Sequence, residues 1–237
     1  MTIRPMSMRP IPIFLYHNIG TSSPLDLKPK LYVQTNRFRM QMALLSMFGF
    51  RGLSMHEAMP YLRGDKKGKV AVITFDDGYV DTIDLALPIL QRYGFTATCY
   101  VVSQRLGQHN TWDAHQIGST KRLMNKEQML KWHDAGMEVG AHSQTHPHLI
   151  DCNEADLENE VIGCKANLEA LLGAPVSQFC YPYGAFNKQV AEAVKAAGYT
   201  AATTTNKGVA MVGSNLFTLP RERPRLTNIF KLVLSLK

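Results

Sequence analysis

The sequence predicts an α/β fold with a largely parallel sheet in a single domain spanning 1–237. Two observations carry this prediction. Short β-rich runs alternate along the chain with longer stretches in which apolar residues recur at helical period. No repeat, low-complexity tract or linker divides the 237 residues, a length that buries about 70 to 75% of the unfolded surface in one core.

Taken in order, the strand candidates are the apolar run IPIFLY (11–16), VAVITF (70–75), TATCYVV (96–102), EVGA (138–141), QFCYPY (178–183), AATT (201–204) and LFTL (216–219). Helical patterns lie between them at 36–48, 55–62, 79–93, 126–135, 154–172 and 188–197, with a last one at 228–235. Seven strands with interleaved helices fit a barrel about as well as an open sheet. Two long stretches read as loops, 20–30 and 103–122, and loops of that length in a compact domain are usually functional or mobile.

Composition narrows the function classes. With 45% apolar and 19% charged residues, 17 Gly and 12 Pro, the chain is an ordinary globular protein and not disordered, collagenous or coiled-coil. The apolar stretch after Arg4 and Arg9 stops at His17, too short for a secretory signal and without a small-residue cleavage site. No stretch reaches the roughly 18 apolar residues of a membrane span, so the expected location is cytoplasmic. Cys99, Cys152, Cys164 and Cys180 include no CxxC pair and read as thiols rather than a disulfide framework. The net charge of +7 comes from scattered basic residues, which argues against nucleic acid as a partner and leaves peripheral contact with an anionic surface open.

Chemistry concentrates where strands end. VAVITF runs into Asp76-Asp77-Gly78, and two adjacent carboxylates at a strand end call for a cation, a proton or an arginine. By itself DDG also fits a turn that opens a helix, with Asp77 as its N-cap. After EVGA come His142 and His146, two imidazoles that with one carboxylate make a three-ligand site and leave a position open for water. Alone, such a histidine pair is commonly incidental. Tyr181-Pro182-Tyr183-Gly184 closes the fifth strand and Leu15-Tyr16-His17 the first. Each also fits a packed strand end, but four such clusters at carboxyl ends match the way parallel sheets and barrels assemble active sites from separate loops.

In this order TFDDGY (74–79), HSQTH (142–146) and CYPYG (180–184) resemble the polysaccharide deacetylases of carbohydrate esterase family 4, over about residues 11–221. The resemblance implies a distorted (β/α)7 TIM-like barrel and metal-dependent removal of an acetyl group from an N-acetylated sugar. It implies Asp76 as general base, and Asp77, His142 and His146 as ligands of a divalent metal. Zinc is the expected ion, with cobalt, nickel and manganese as competitors. It further implies that the Tyr183 backbone N–H completes an oxyanion hole.

Two positions depart from the family pattern. Cys180 stands where familiar members have an arginine that orients the base, and the C-terminal FTLPRERP lacks the usual Leu-x-His element that supplies the general acid. Both gaps close if the chain is similar to the circularly permuted branch that includes poly-N-acetylglucosamine deacetylases. There Leu15-Tyr16-His17 is the matching element, making His17 the general acid, and Arg221 replaces the missing arginine, with Arg223 as a second candidate. In the long loop, Trp112 is expected to stack on a sugar ring, with Asp113 or Asn110 bonding to its hydroxyls; Trp132 is expected in the core. The glycan is the expected partner. Two other readings stay open: hydrolysis of a different non-peptide C–N bond, and a catalytically silent carbohydrate-binding relative.

Overall fold

The computed structural model describes residues 10–24, 26–112, 114, 118–225, 227 and 229. In chain order they form β1 (Ile13–Tyr16), β2 (Asn18–Ile19), β3 (Tyr32–Val33), α1 (Thr35–Met47), β4 (Arg51–Leu53), α2 (Met55–Arg63), β5 (Val70–Phe75) and α3 (Leu87–Arg92). There follow β6 (Thr98–Val101), α4 (Lys126–Asp134), β7 (Glu138–Ala141), α5 (Glu154–Glu158), α6 (Cys164–Leu172), β8 (Gln178–Cys180), α7 (Lys188–Ala196), β9 (Ala201–Lys207) and β10 (Leu219–Arg221). The helical pattern at 228–235 lies almost wholly outside the described residues.

Seven strands run parallel in the order β1-β5-β6-β7-β8-β9-β10. The two ends of this sheet meet: Leu15 N–H donates to Glu222 O (3.0 Å) and Glu222 N–H to Ile13 O (2.8 Å). The result is the barrel rather than the open sheet. The first strand therefore sits beside the last one, between β10 and β5, and sets His17 at the same end of the barrel as Asp76 and Asp77.

β4 is an addition that the sequence did not suggest. It pairs with the amino end of β5, and Gly52 O accepts from Thr96 N–H (3.1 Å) just before β6, so it wedges between these two strands. A Cβ at Gly52 would lie 2.5 Å from the Phe95 ring. The wedge opens the lower barrel wall and distorts its symmetry.

The two-residue period of the strands sorts their side chains into two cores. Phe14, Ala71, Ile73, Phe75, Cys99, Val139, Phe179 and Ala202 face outward onto the helices. Ile13, Val70, Val72, Tyr100, Cys180, Ala201 and Leu219 face inward and fill the barrel. The helices pack through buried stripes such as Phe38, Met42 and Leu45 of α1, and Met129 and Trp132 of α4. Trp132 is in the core as expected, its indole N–H donating to Glu138 O (2.8 Å).

Two predicted helices carry π turns. The pattern at 79–93 contains one at Thr82–Ala86 before α3. Pro88, in the first turn of α3, has no N–H to donate and its ring crowds the preceding turn. The pattern at 154–172 holds another at Asn159–Gly163, between α5 and α6. The predicted strand 178–183 stops at Cys180, because Pro182–Gly184 turns as a short 3-10 segment.

The two long loops are pinned to each other and to the barrel. Ser119 hydrogen-bonds Asp26, and Lys121 Nζ lies over the Tyr32 ring at 4.9 Å. All four cysteines are free; Cys152 is half-buried and the other three are buried. Among the described residues no helix is long and apolar enough to cross a membrane.

Candidate active site

β5 is buried along its whole length and delivers Asp76 and Asp77 to the carboxyl end of the barrel. The pleat sends Asp76 to the inward face, in line with Val70, Val72 and Thr74. Asp77 then leaves the strand with φ 74°, a left-handed conformation that turns its carboxylate toward the next loops. It is not a helix cap: its Oδ1 lies 3.3 Å from His142 Nε2 and 3.4 Å from His146 Nε2.

The HSQTH loop is held from below by a residue that the sequence reading missed. Glu160, in the π turn after α5, accepts through Oε2 from Gln144 N–H (2.7 Å) and Thr145 N–H (3.0 Å), and through Oε1 from the Thr145 hydroxyl (2.5 Å). A visible signal existed, since Glu160 lies beside the apolar stripe Leu157, Val161, Cys164, Leu168 and is buried with it. His146 N–H donates to Ser143 Oγ (3.0 Å), and His142 Nδ1 lies 2.7 Å from Cys180 O, which leaves its Nε2 facing Asp77.

Among the described residues, the non-glycine residues with positive φ are Asp77, Ser143, His146 and Tyr183. Each such conformation costs about 1 to 3 kcal/mol and persists where the surroundings fix it. All four belong to or adjoin this one cluster, so the backbone strain of the fold is concentrated at the site.

Burial opposes ionisation of Asp76, but the Arg221 guanidinium outweighs it and holds the carboxyl below its usual range. The contact is bidentate, Nη1 to Oδ1 and Nη2 to Oδ2 at 2.7 Å each. Arg221 is itself buried, from β10, and donates also to Thr204 O (2.8 Å), Thr74 Oγ1 (3.0 Å) and Cys180 Sγ (3.2 Å). Arg221 was expected here from the sequence, but no role was expected for Thr74 or Thr204, whose contacts depend on how β5, β9 and β10 meet inside the barrel. Arg223 is exposed, whereas Arg221 is buried against Asp76. Asp77 is likewise penalised by burial and brought well below the usual carboxylate range by its hydrogen bonds to His142 and His146.

His17 follows β1 and is half-buried, close enough that a positive charge there would lower the pKa of both Asp76 and Asp77. Tyr183 takes φ 59° and ψ 0° in the turn after β8, and Thr205 Oγ1 donates to its carbonyl (3.2 Å). Its ring packs edge-on to His146 at 4.6 Å and face-on to His148 at 3.9 Å. Trp112 reaches the site, where one face of its ring stacks on His146 at 4.5 Å. Asn110 is buried and ties the loop down, bonding the Tyr79 hydroxyl (2.9 Å) and Lys121 N–H (2.5 Å) instead of facing a ligand. Asp113 lies outside the described residues.

The donor set fits a divalent cation. Asp77, His142 and His146 offer three ligand atoms within 4.8 Å of one another, all buried. Ligand bonds of about 2.0 to 2.1 Å in a tetrahedron place neighbouring ligand atoms roughly 3.3 to 3.4 Å apart, matching the separations of Asp77 Oδ1 from the two histidine nitrogens. A second grouping, Asp76, His142 and Cys180, does not fit, because Arg221 occupies both Asp76 oxygens and the Cys180 sulfur.

Comparison with known proteins agrees with this geometry. The family model described as polysaccharide deacetylase matches residues 63–202. YxkH of Bacillus subtilis, assigned as a polysaccharide deacetylase, is 27% identical over 215 residues, which cover 90% of this chain and 71% of that protein. The poly-beta-1,6-N-acetyl-D-glucosamine N-deacetylase of Staphylococcus aureus is 23% identical over 193 residues, 80% of this chain and 66% of the relative. The solved structure of the Streptococcus pyogenes deacetylase PplD in complex with acetate superimposes with a TM-score of 0.80 at 26% identity, covering 97% of this chain and 98% of PplD. With the family match spanning more than half of its length, the chain belongs to the polysaccharide deacetylase family and is an N-deacetylase, a carbon–nitrogen hydrolase.

Proposed function

We propose that the protein removes the N-acetyl group from an N-acetylated sugar of an oligosaccharide, polysaccharide or lipid-linked glycan in a reaction that depends on a divalent metal, zinc by donor chemistry. The observation that carries this reading is the convergence of Asp77, His142 and His146 beside an ionised Asp76 that Arg221 holds in place. Names of the relatives, which include a poly-N-acetylglucosamine N-deacetylase, support the substrate class.

The residues divide the work as follows. Asp77, His142 and His146 hold the ion, which when bound lowers the pKa of water and polarises a carbonyl. Asp76 takes the proton from the attacking water as general base; each of its oxygens keeps a second lone pair after bonding Arg221. Arg221 keeps that carboxylate charged and oriented. The Tyr183 N–H donates to the oxyanion that forms as the acetyl carbon becomes tetrahedral. His17, on the opposite side of the site from β8, protonates the sugar amine as the C–N bond breaks. The products are acetate and a free amine.

The reading is tested by acetate release from N-acetylglucosamine oligomers and lipid-linked N-acetyl sugars. Zinc-loaded protein, chelated protein and Asp76→Asn are compared on each substrate. Release that is lost on chelation and in Asp76→Asn is expected; no release from any of these by zinc-loaded protein overturns the reading in favour of another C–N substrate.

A further inference from the structure

A cavity of about 320 Å³ opens directly beside His17, between the carboxyl end of β1, the segment around β3, α1 and the chain after β10. Its size lies at the lower end of ligand sites. Four cationic side chains line it, Lys30, Arg37, Arg223 and Arg225, and no Asp or Glu does among the described lining residues. Lys30, Arg37 and Arg225 form no ion pair among the described residues. Holding these three like charges at one concavity, with the Arg223 side chain on the same wall, is unfavourable unless something negative enters it.

The wall that carries the two C-terminal arginines is rigid. Pro224 is buried between them, and its carbonyl accepts from the buried Gln41 Nε2 (2.6 Å). Gln41 Oε1 in turn accepts from the Tyr16 hydroxyl (2.9 Å), at the end of the strand that leads to His17. Glu222, just before them, is tied on both sides to β1. Arg223 and Arg225 thus extend from backbone that is fixed relative to His17, which lowers the entropy cost of using them to hold a ligand. They also border a smaller cavity of about 210 Å³, where Lys207 and Arg221 add positive charge and Glu222 supplies one carboxylate.

We propose that the cavity beside His17 is a subsite for an oxyanion, phosphate in the first place, carried by the glycan substrate on the amine side of the scissile bond. This rests on the deacetylase reading, in which His17 faces the leaving sugar, and deepens it: the preferred substrate is an N-acetylated sugar with a phosphate on or next to it. Arginine forks bind such groups through paired, charge-assisted hydrogen bonds. A neutral acetylated polymer brings no negative charge to these cations, whereas a phosphate does.

The test compares kcat/KM for acetate release from a neutral N-acetylglucosamine disaccharide and from its 1-phosphate, in the wild-type protein and in Arg37→Gln/Arg225→Gln. Both positions are exposed, and the variant is expected to fold, which its urea unfolding curve checks. The wild type is expected to prefer the phosphate by at least about tenfold, and the variant to lose most of that preference. A wild-type ratio near one, or a ratio kept in the variant, overturns the proposal. Calorimetric titration of inorganic phosphate into chelator-treated protein separates this result from the deacetylase reading. Binding that weakens about tenfold in the variant supports the oxyanion site even if neither sugar is deacetylated; no binding overturns it even if both are. In a third arm, phosphatidylglycerol vesicles are sedimented with both proteins. Vesicle capture that is lost in the variant, without any preference for the phosphorylated sugar, assigns the site to lipid headgroups and overturns the assignment to substrate.

Discussion

Replacing Arg221 by methionine keeps side-chain length while removing every donor of a buried guanidinium. Asp76 then loses two charge-assisted hydrogen bonds of 2.7 Å, and Thr204 O loses its 2.8 Å donor. Breaking one side of a buried ion pair costs about 3 to 5 kcal/mol; the carbonyl adds about 1 kcal/mol. The sum, about 4 to 6 kcal/mol, is a large part of the roughly 5 to 15 kcal/mol that holds a typical domain folded. Urea unfolding of Arg221→Met, Asp76→Asn and the double variant reads it directly. The double variant is expected to be more stable than the Arg221→Met single, because no uncompensated charge stays buried, so the two effects are strongly non-additive. Arg221→Lys keeps the charge but not the fork and should fall between. A loss below about 1 kcal/mol in Arg221→Met, or additivity with Asp76→Asn, would refute the claim that this arginine holds the base ionised.

Three further outcomes follow from the same geometry. His17→Asn should lower kcat by about 10²- to 10⁴-fold, the range for loss of a general acid, while metal content stays at the wild-type value; steady-state kinetics and metal analysis check both. Gly184→Ala would set a Cβ onto Thr205 Oγ1 and 2.6 Å from Thr205 N, at φ 71°. It should displace the neighbouring Tyr183 amide and cost roughly 10²-fold in kcat, again without loss of metal. Burial pushes Asp81 up to about 7, although its Oδ1 accepts from Ile19 N–H (3.2 Å). The folded state thus holds this proton more tightly than the unfolded chain, and stability falls as pH rises from about 4 to about 7. Asp81→Asn should match the wild type near pH 4 and exceed it at pH 8, by a few kcal/mol at most; an equal difference at both pH values in urea unfolding would contradict this.

Much of the site was legible because its motifs stand at the carboxyl ends of apolar runs, and in the structure strand parity turns several of their side chains inward. In VAVITF, inward positions 70, 72 and 74 lead to Asp76; in β1, inward 13 and 15 lead to His17; in β8 and β10 the same rule brings Cys180 and Arg221 inside. Residue types at those positions therefore name the chemistry before any coordinates do. What was not legible depends on contacts between distant segments. β4 is three residues long with a glycine at its centre, and it pairs only because β5 and β6 splay to admit it. The support of the HSQTH loop by Glu160 needs the π turn at Asn159–Gly163 to aim that carboxylate. The stacking of Trp112 on His146 was not legible either, since the two stand in loops far apart in the chain. The basic cavity joins residues near 30, 37 and 224 that are far apart in the chain, so four scattered cations in the sequence become one cluster only after closure of the barrel.

In the proposed reaction Asp77, His142 and His146 hold a metal while Asp76 performs the proton transfer beside it. Bound metal and acetate release, measured on the same preparations of wild type, Asp76→Asn and His146→Ala with an N-acetylglucosamine oligomer as substrate, test it most directly. One ion per chain and acetate release are expected in the wild type, one ion without release in Asp76→Asn, and neither in His146→Ala. Full release by Asp76→Asn, or by His146→Ala without its ion, would contradict it.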